Sequence, residues 1–316
     1  MTSKRFEPVA AKQMLNRVKV ERMPFDWSLN PYRGCAHGCS FCYARAFQTF
    51  LGKEANDEFQ HHIFIKENAP EALDAQLRAF GRRHGLRDAD VGPRIGPVAI
   101  GTATDPYQPI EAKARLTRGC LEVLAKYRVP TSITTRSPLV LRDLDVLKRV
   151  DLTSVNISVN TLDAAVARNL EPASPHPAGR MRAVRALADA GAPVGIFVAP
   201  ILPLLTDDEE TLDALFAEAK AQGAGFAMTS LLRLSPDVKM WYYHTLETHY
   251  PELIRPYARL YETAYAEVAY SEAMKRRIAA VRERHALPAP PPPRAPEPLP
   301  APQAAKPQPE QLSFSF

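Results

Sequence analysis

The chain has 316 residues, 46% of them hydrophobic and 24% charged, with a net charge of +5; these proportions exclude a disordered or fibrous protein and leave enough apolar material for a full-sized core. Its apolar runs are broken by Pro, Gly or charge well short of the roughly 20 residues that span a bilayer. The start Met1-Thr2-Ser3-Lys4-Arg5 lacks the apolar stretch of a secretory leader, so no membrane contact and a cytoplasmic location are expected. Only four cysteines occur, three of them within eight residues, which excludes a disulfide framework and points to reduced thiolates and a metal.

Residues 1–24 are read as an N-terminal extension. From 25 to 235 short β-rich runs alternate with longer helical patterns, the mark of βα units on a parallel sheet. The predicted strands are 27–30, 62–66, 98–103, 131–135, 155–159, 194–199 and 225–229, several of them nearly continuous in apolar residues, as strands buried on both faces are. Between them, Leu116, Cys120, Val123, Leu124 and Tyr127 share one helical face, and Met181, Val184, Leu187 and Ala188 another. Cys120 thereby reads as a small core residue. Thr206 followed by Glu209 predicts a capping box opening a helix with Leu212, Leu215 and Phe216 inward and Gly223 at its close. Residues 236–286 read as a helical cover. From 287 to 316, eleven of thirty residues are Pro, which predicts a disordered, extended tail. The fold class is therefore α/β, a partial (β/α)6-type TIM barrel with a C-terminal helical segment and a Pro-rich tail. Basic groups at Arg82, Arg83 and Arg87, at Arg180, Arg182 and Arg185, and at Lys275, Arg276, Arg277, Arg282 and Arg284 suit either solvated helix faces or phosphate contact.

The segment Asn30-Pro31-Tyr32-Arg33-Gly34-Cys35-Ala36-His37-Gly38-Cys39-Ser40-Phe41-Cys42-Tyr43-Ala44-Arg45 follows the first predicted strand, where a β/α fold places its reactive loops. Gly34 and Gly38 ease its turns. Structural zinc takes four protein ligands, and most electron-transfer clusters take four Cys. Three ligands leave one iron of a [4Fe-4S] cluster open, and an open iron can chelate the amino and carboxylate groups of S-adenosylmethionine. The alternatives are a non-catalytic Fe-S or zinc module, in the latter case with His37 as fourth ligand, and unrelated buried cysteines.

Cys-x3-Cys-x-Phe-Cys resembles the radical S-adenosylmethionine superfamily. Over about residues 25–260 the chain resembles in particular the group related to spore photoproduct lyase, through Ile65-Lys66-Glu67-Asn68-Ala69-Pro70, Thr104-Asp105-Pro106-Tyr107-Gln108-Pro109-Ile110-Glu111, Ile133-Thr134-Thr135-Arg136-Ser137, Ser158-Val159-Asn160-Thr161-Leu162-Asp163, Leu170-Glu171-Pro172-Ala173-Ser174-Pro175 with Arg180, and Ala199-Pro200-Ile201-Leu202-Pro203. The resemblance implies a radical enzyme that cleaves S-adenosylmethionine to a 5′-deoxyadenosyl radical. It makes Cys35, Cys39 and Cys42 the cluster ligands, and Phe41, Tyr43, Thr104, Arg136 and Ser158 candidates for holding the cofactor. Related proteins often carry Lys where Arg136 stands, and Arg would pair the carboxylate with a planar fork instead.

Asp105, Tyr107, Gln108 and Glu111 are expected at the barrel mouth, on the substrate side, or else in a Pro-rich turn. Glu171 and Arg180 are substrate-side candidates or a structural ion pair. Photoproduct lyases carry a hydrogen-donating Cys near the strand end that reads Gly101-Thr102-Ala103-Thr104 here, so a relative with another substrate is expected. The expected substrate is nucleic acid or nucleotide-like, with a peptide or small metabolite as the alternative. Expected partners are a reductant such as flavodoxin or ferredoxin, DNA, and the replication sliding clamp, whose docking peptides resemble Gln311, Leu312, Phe314 and Phe316 at the end of the tail.

Overall fold

The computed structural model of the chain describes residues 4–20, 23–52 and 54–300. Its strands are β1 (Arg5–Val9), β2 (Leu15–Arg17), β3 (Trp27–Leu29), β4 (Tyr32–Arg33), β5 (His62–Lys66), β6 (Val98–Ile100), β7 (Thr131–Thr135), β8 (Leu152–Ser158), β9 (Val194–Ile201) and β10 (Ala227–Leu231). The helices are α1 (Glu58–His61), α2 (Ala69–His84), α3 (Asp88–Ile95), α4 (Glu111–Ala114), α5 (Leu116–Lys126), α6 (Leu144–Leu147), α7 (Ala164–Leu170), α8 (Pro177–Asp189), α9 (Glu209–Ala221), α10 (Pro236–His249), α11 (Ile254–Leu260) and α12 (Val268–Arg284).

Six strands, β3, β6, β7, β8, β9 and β10, lie side by side in chain order, each parallel to the next. The antiparallel β2 extends the sheet beyond β3, so β2 and β10 are its two edges and no closed barrel forms. Val98, Ile100, Ile133, Val155, Ile157, Ile196 and Val198 are fully buried along the central strands. Side chains of this kind each contribute about 1.5–3 kcal/mol by leaving water. Parallel strands covered on both faces demand such continuous apolar runs, which is why the sequence exposes them clearly.

The predicted strand at 62–66 forms but does not join this sheet. As β5 it pairs parallel with β1 and antiparallel with β4 in a separate three-stranded sheet. Residues read as an extension thus supply β1 and β2, and Met14 and Leu15 are buried in the main core. The helix α9 is capped by Asp208, whose carboxylate accepts from Thr211 N at 2.7 Å. Thr206 instead accepts from Leu202 N at 2.9 Å, so its hydroxyl closes the preceding turn rather than the predicted capping box. Cys120 lies fully buried in the main core, as its stripe predicts.

The C-terminal helices divide between two cores. Met274, Ile278 and Val281 of α12 join the main core, whereas Tyr242 and Leu246 of α10 and Tyr257 of α11 form a second one that includes Cys39 and Phe41. The stretch 288–300 has no helix or strand, as its prolines require. It nevertheless begins beside the buried Leu287, with Ala227 N donating to Pro288 O at 2.9 Å, and is held again where Glu297 N donates to Pro93 O at 2.7 Å. The predicted clamp-docking residues Gln311, Leu312, Phe314 and Phe316 lie outside the described residues. No helix among the described residues is long and apolar enough to cross a membrane.

Candidate functional site

The C-terminal ends of β6 to β10 surround a cavity that Cys35, Cys39 and Cys42 close from one side. A parallel α/β sheet presents its loops and free strand ends at this edge, so the reactive groups converge there. Gly101 to Asp105 enter from the end of β6, Thr134 to Arg136 from β7, Ser158 from β8, Phe197, Ala199 and Pro200 from β9, and Ser230 to Arg233 from β10. Among the described lining residues the only thiols are those of the loop. Gly101 has φ +91°, and a Cβ there would stand 2.2 Å from Thr134 O, so only glycine lets β6 turn into the cavity wall.

The cysteine loop is held by buried polar bonds. Arg45, with no exposed surface, donates from Nε to Cys39 O at 2.8 Å, from Nη2 to Gly38 O at 2.7 Å and from Nη1 to Asn56 O. Its guanidinium also sits over the rings of Phe59 and Trp241, at 5.3 and 5.0 Å. Gln108 accepts from Ala36 N at 2.9 Å and donates to Thr104 Oγ1 at 3.1 Å, and Thr104 Oγ1 donates to Gly34 O at 2.6 Å. His37 Nε2 is 3.2 Å from the Asp105 carboxylate, and its Nδ1 is 3.2 Å from Ala173 O.

His37 Nε2 lies against the Asp105 carboxylate without an aligned hydrogen bond, Nδ1 lies beside Ala173 O, and the residue does not line the cavity. This arrangement does not place it as the fourth ligand of a zinc site. Among the described residues no three His, Cys, Asp or Glu side chains converge on a single-ion position; Cys35, Cys39 and Cys42 all line the cavity. Three thiols without a fourth protein ligand, facing strand ends that carry a cation and hydroxyls, fit a cluster with one open iron and a polar cofactor beside it.

Of the predicted cofactor-side residues, Phe41, Tyr43, Thr104, Arg136 and Ser158 all line the cavity. The Tyr43 hydroxyl donates to Thr102 O, and the Thr104 hydroxyl is committed to the loop. Arg136 Nε lies 3.4 Å from Glu171 Oε1, too poorly aligned for a hydrogen bond, and the guanidinium stands 5.9 Å over the Phe41 ring. Burial opposes the Arg136 charge, but Cys39, Glu171 and Cys42 outweigh it and raise its pKa. Burial pushes the Cys39 thiol up to about 11 while Arg136 pulls the other way, so this cation favours a thiolate in place.

The residues predicted at the mouth point elsewhere. Asp105 touches the cavity but spends its carboxylate on Thr135 Oγ1 at 2.6 Å, Arg136 N at 2.7 Å, Tyr107 N at 2.8 Å and His37. Burial alone would raise its pKa, yet His37 and these donors hold it at about 2. Gln108 faces the cysteine loop, Tyr107 is buried in the main core, and Glu111 is buried among Tyr32, Thr117 N and Arg142. None of these three lines the cavity. Glu171 and Arg180 form a buried ion pair, with Arg180 also donating to Pro175 O at 2.7 Å and Ser158 O at 3.1 Å. Ser230 and Arg233 on the wall were not singled out from the sequence, although the rule that strand ends face the site applies to β10 as well.

A family model for the radical SAM superfamily matches residues 29–215. The chain belongs to the radical SAM superfamily. Its cofactors are accordingly a [4Fe-4S] cluster and S-adenosylmethionine, and membership supports an enzymatic role. An uncharacterized protein of Mycobacterium tuberculosis is 32% identical over 296 residues, covering 90% of this chain and 84% of that protein. One of Methanocaldococcus jannaschii is 29% identical over 246 residues, covering 77% and 83%. Among solved structures, a spore photoproduct lyase variant superposes with a TM-score of 0.64 at 19% identity over 89% of this chain and 79% of that one. Another variant of that lyase, with bound AdoMet and dinucleoside spore photoproduct, superposes with a TM-score of 0.63 over 88% and 78%, again at 19% identity. These likenesses establish the shared fold.

Proposed function

We infer that the chain reductively cleaves S-adenosylmethionine and directs the outcome at a nucleic-acid or nucleotide-like substrate. The observation that carries this reading is the cavity, lined jointly by three thiols, Arg136 and Ser158, with no further Cys and no His among its described lining residues. When bound, the reduced cluster and S-adenosylmethionine supply a 5′-deoxyadenosyl radical that abstracts hydrogen.

The chain's residues hold and shield. Cys35, Cys39 and Cys42 are the cluster ligands. Arg136, kept charged by Glu171 and the neighbouring thiolates, offers a fork to a carboxylate. Glu171 in turn is fixed by Arg180, so Arg136 is set in place from behind. Ser158 adds a hydroxyl to the polar wall, while Phe41, Phe197, Leu231 and Leu232 keep water from the reacting atoms; the Thr104 hydroxyl holds Gly34 of the loop. Asp105, Gln108 and Arg45 act as positioning residues that hold the loop. The electron comes from a one-electron donor such as flavodoxin or ferredoxin.

The substrate class is supported by the fold shared with the lyase that holds a dinucleoside photoproduct. The cavity wall Gly101 to Thr104 carries no thiol, which favours a substrate other than that photoproduct. Anaerobically reconstituted protein with dithionite is expected to release 5′-deoxyadenosine from S-adenosylmethionine, and Cys39→Ala to abolish both the release and the bound iron. A wild-type protein that binds the cluster and gives no 5′-deoxyadenosine under several reductants contradicts the proposal.

A further inference from the structure

A second cavity adjoins the first, sharing the wall formed by Tyr43, Thr102 and Ala103. Its rim is the 3-10 helix Tyr43–Leu51, which starts directly after the last cysteine of the loop. Three aromatic side chains on this helix face water: Tyr43 is 51%, Phe47 40% and Phe50 84% exposed. Phe47 and Phe50 are stacked with centroids 6.4 Å apart and planes 26° apart, and Tyr43 meets Phe47 edge-on at 6.0 Å. Exposed rings in a row, beside a cavity, mark a binding surface rather than scattered surface residues.

The charge of this cavity is one-sided. Arg33 and Lys66 line it, and no Asp or Glu does among the described residues. Lys66 donates to Asn30 O at 2.7 Å. Burial first, and the neighbouring Arg33 charge second, lower its pKa. Two cations that repel one another, with no acid on the same wall, are relieved by an anionic ligand.

We propose that this cavity is a subsite for a single-stranded polynucleotide, whose bases stack on Phe47 and Phe50 and whose phosphodiester lies against Arg33 and Lys66. Flat faces and an anionic linker are the two features that the wall demands together. An acidic peptide answers the cations and leaves the rings uncovered, whereas an apolar ligand covers the rings and leaves the cations unpaired. Because Tyr43 and Thr102 belong to both cavities, a strand lying here presents its next nucleotide to the cysteine cavity. The inference rests on the nucleic-acid reading of the proposed function and gives it a location and a strand state.

The test is fluorescence anisotropy of the full chain, reconstituted with its cluster, against labelled oligothymidylate of about 12 nucleotides, its RNA counterpart, and a duplex. Both single strands, or one of them, are expected to bind more tightly than the duplex. Phe50→Ala should weaken single-strand binding about five- to a hundredfold. Arg33→Gln should lower the slope of log affinity against log salt by about 0.7. Polyglutamate should fail to displace the oligonucleotide at matched charge. Equal affinity in wild type, Phe50→Ala and Arg33→Gln, displacement by polyglutamate, or preference for duplex each overturns the subsite. A wild type that releases 5′-deoxyadenosine yet binds no oligonucleotide overturns it too and leaves the cofactor chemistry standing. Oligonucleotide binding that depends on Phe50 and Arg33, in a protein that cleaves no S-adenosylmethionine, supports the subsite and overturns the proposed chemistry.

Discussion

The cysteine loop and the aromatic helix that follows it are joined at Cys42 and Tyr43, yet they are built on opposite plans. The loop is locked: Arg45, Gln108, Thr104 and Asp105 hold its carbonyls, its amides and His37 through buried bonds. The aromatic helix supplies Arg45 from its buried face, but on its other face it turns three rings to water. A cluster needs its ligands fixed against a precise partner, and buried polar bonds enforce one geometry because leaving any of them unmade is costly. A long, chemically regular substrate needs the reverse, an open surface of rings and cations.

The largest effect is expected at Arg45. Arg45→Met keeps most of the length but removes the donors to Gly38 O, Cys39 O and Asn56 O, together with the cation over Phe59 and Trp241. Unmade bonds to a buried charged donor predict a loss of about 3–5 kcal/mol in unfolding free energy. Bound iron after reconstitution should fall with it. Full iron content at unchanged stability would break the contrast between a locked loop and an open helix.

Asp105→Asn comes next and carries a pH signature. The folded carboxyl is held at about 2, against an ordinary value of 3.8, so its charge stabilises the fold by about 2 kcal/mol. A depressed folded pKa makes this contribution complete above the unfolded value and lost as pH falls from about 4 towards 2. Urea unfolding should therefore separate wild type and Asp105→Asn by a constant amount from pH 7 to about 5, with the gap narrowing at lower pH. A gap that widens in acid would show that Asp105 does not anchor His37 as an anion.

The parts of this design that are local in the chain were legible in the sequence. The spacing of Cys35, Cys39 and Cys42 lies within one loop, and β6 and β9 are apolar runs buried along most of their length. What misled was pairing and direction. His62–Lys66 has a strand's composition, but its partner Arg5–Val9 lies more than fifty residues away, and no local pattern encodes that pairing. Gln108 and Glu111 sit just beyond a strand end, where polar residues often face a site. Their side chains turn the other way, to Ala36 N and to Tyr32 and Arg142, because buried amides and cations there require partners. Arg233 and Ser230 were within reach of the same strand-end rule that selected Arg136 and Ser158.

The smallest effect is the most discriminating for the open half of the comparison. Phe50 is 84% exposed and its ring rests on Phe47 alone among the described aromatic rings, so Phe50→Ala removes little buried surface and should change unfolding free energy by no more than about 0.5 kcal/mol. Thermal and urea unfolding of the protein without oligonucleotide measure this directly. A large loss would mean that the ring is part of the packed structure, and the aromatic helix would then belong with the locked loop. A negligible loss, beside the weaker oligonucleotide binding expected of the same variant, would mean that the ring is maintained for something outside the fold. Such a residue costs the folded protein an exposed apolar face and returns nothing to its stability, and only a ligand that covers it makes that arrangement favourable.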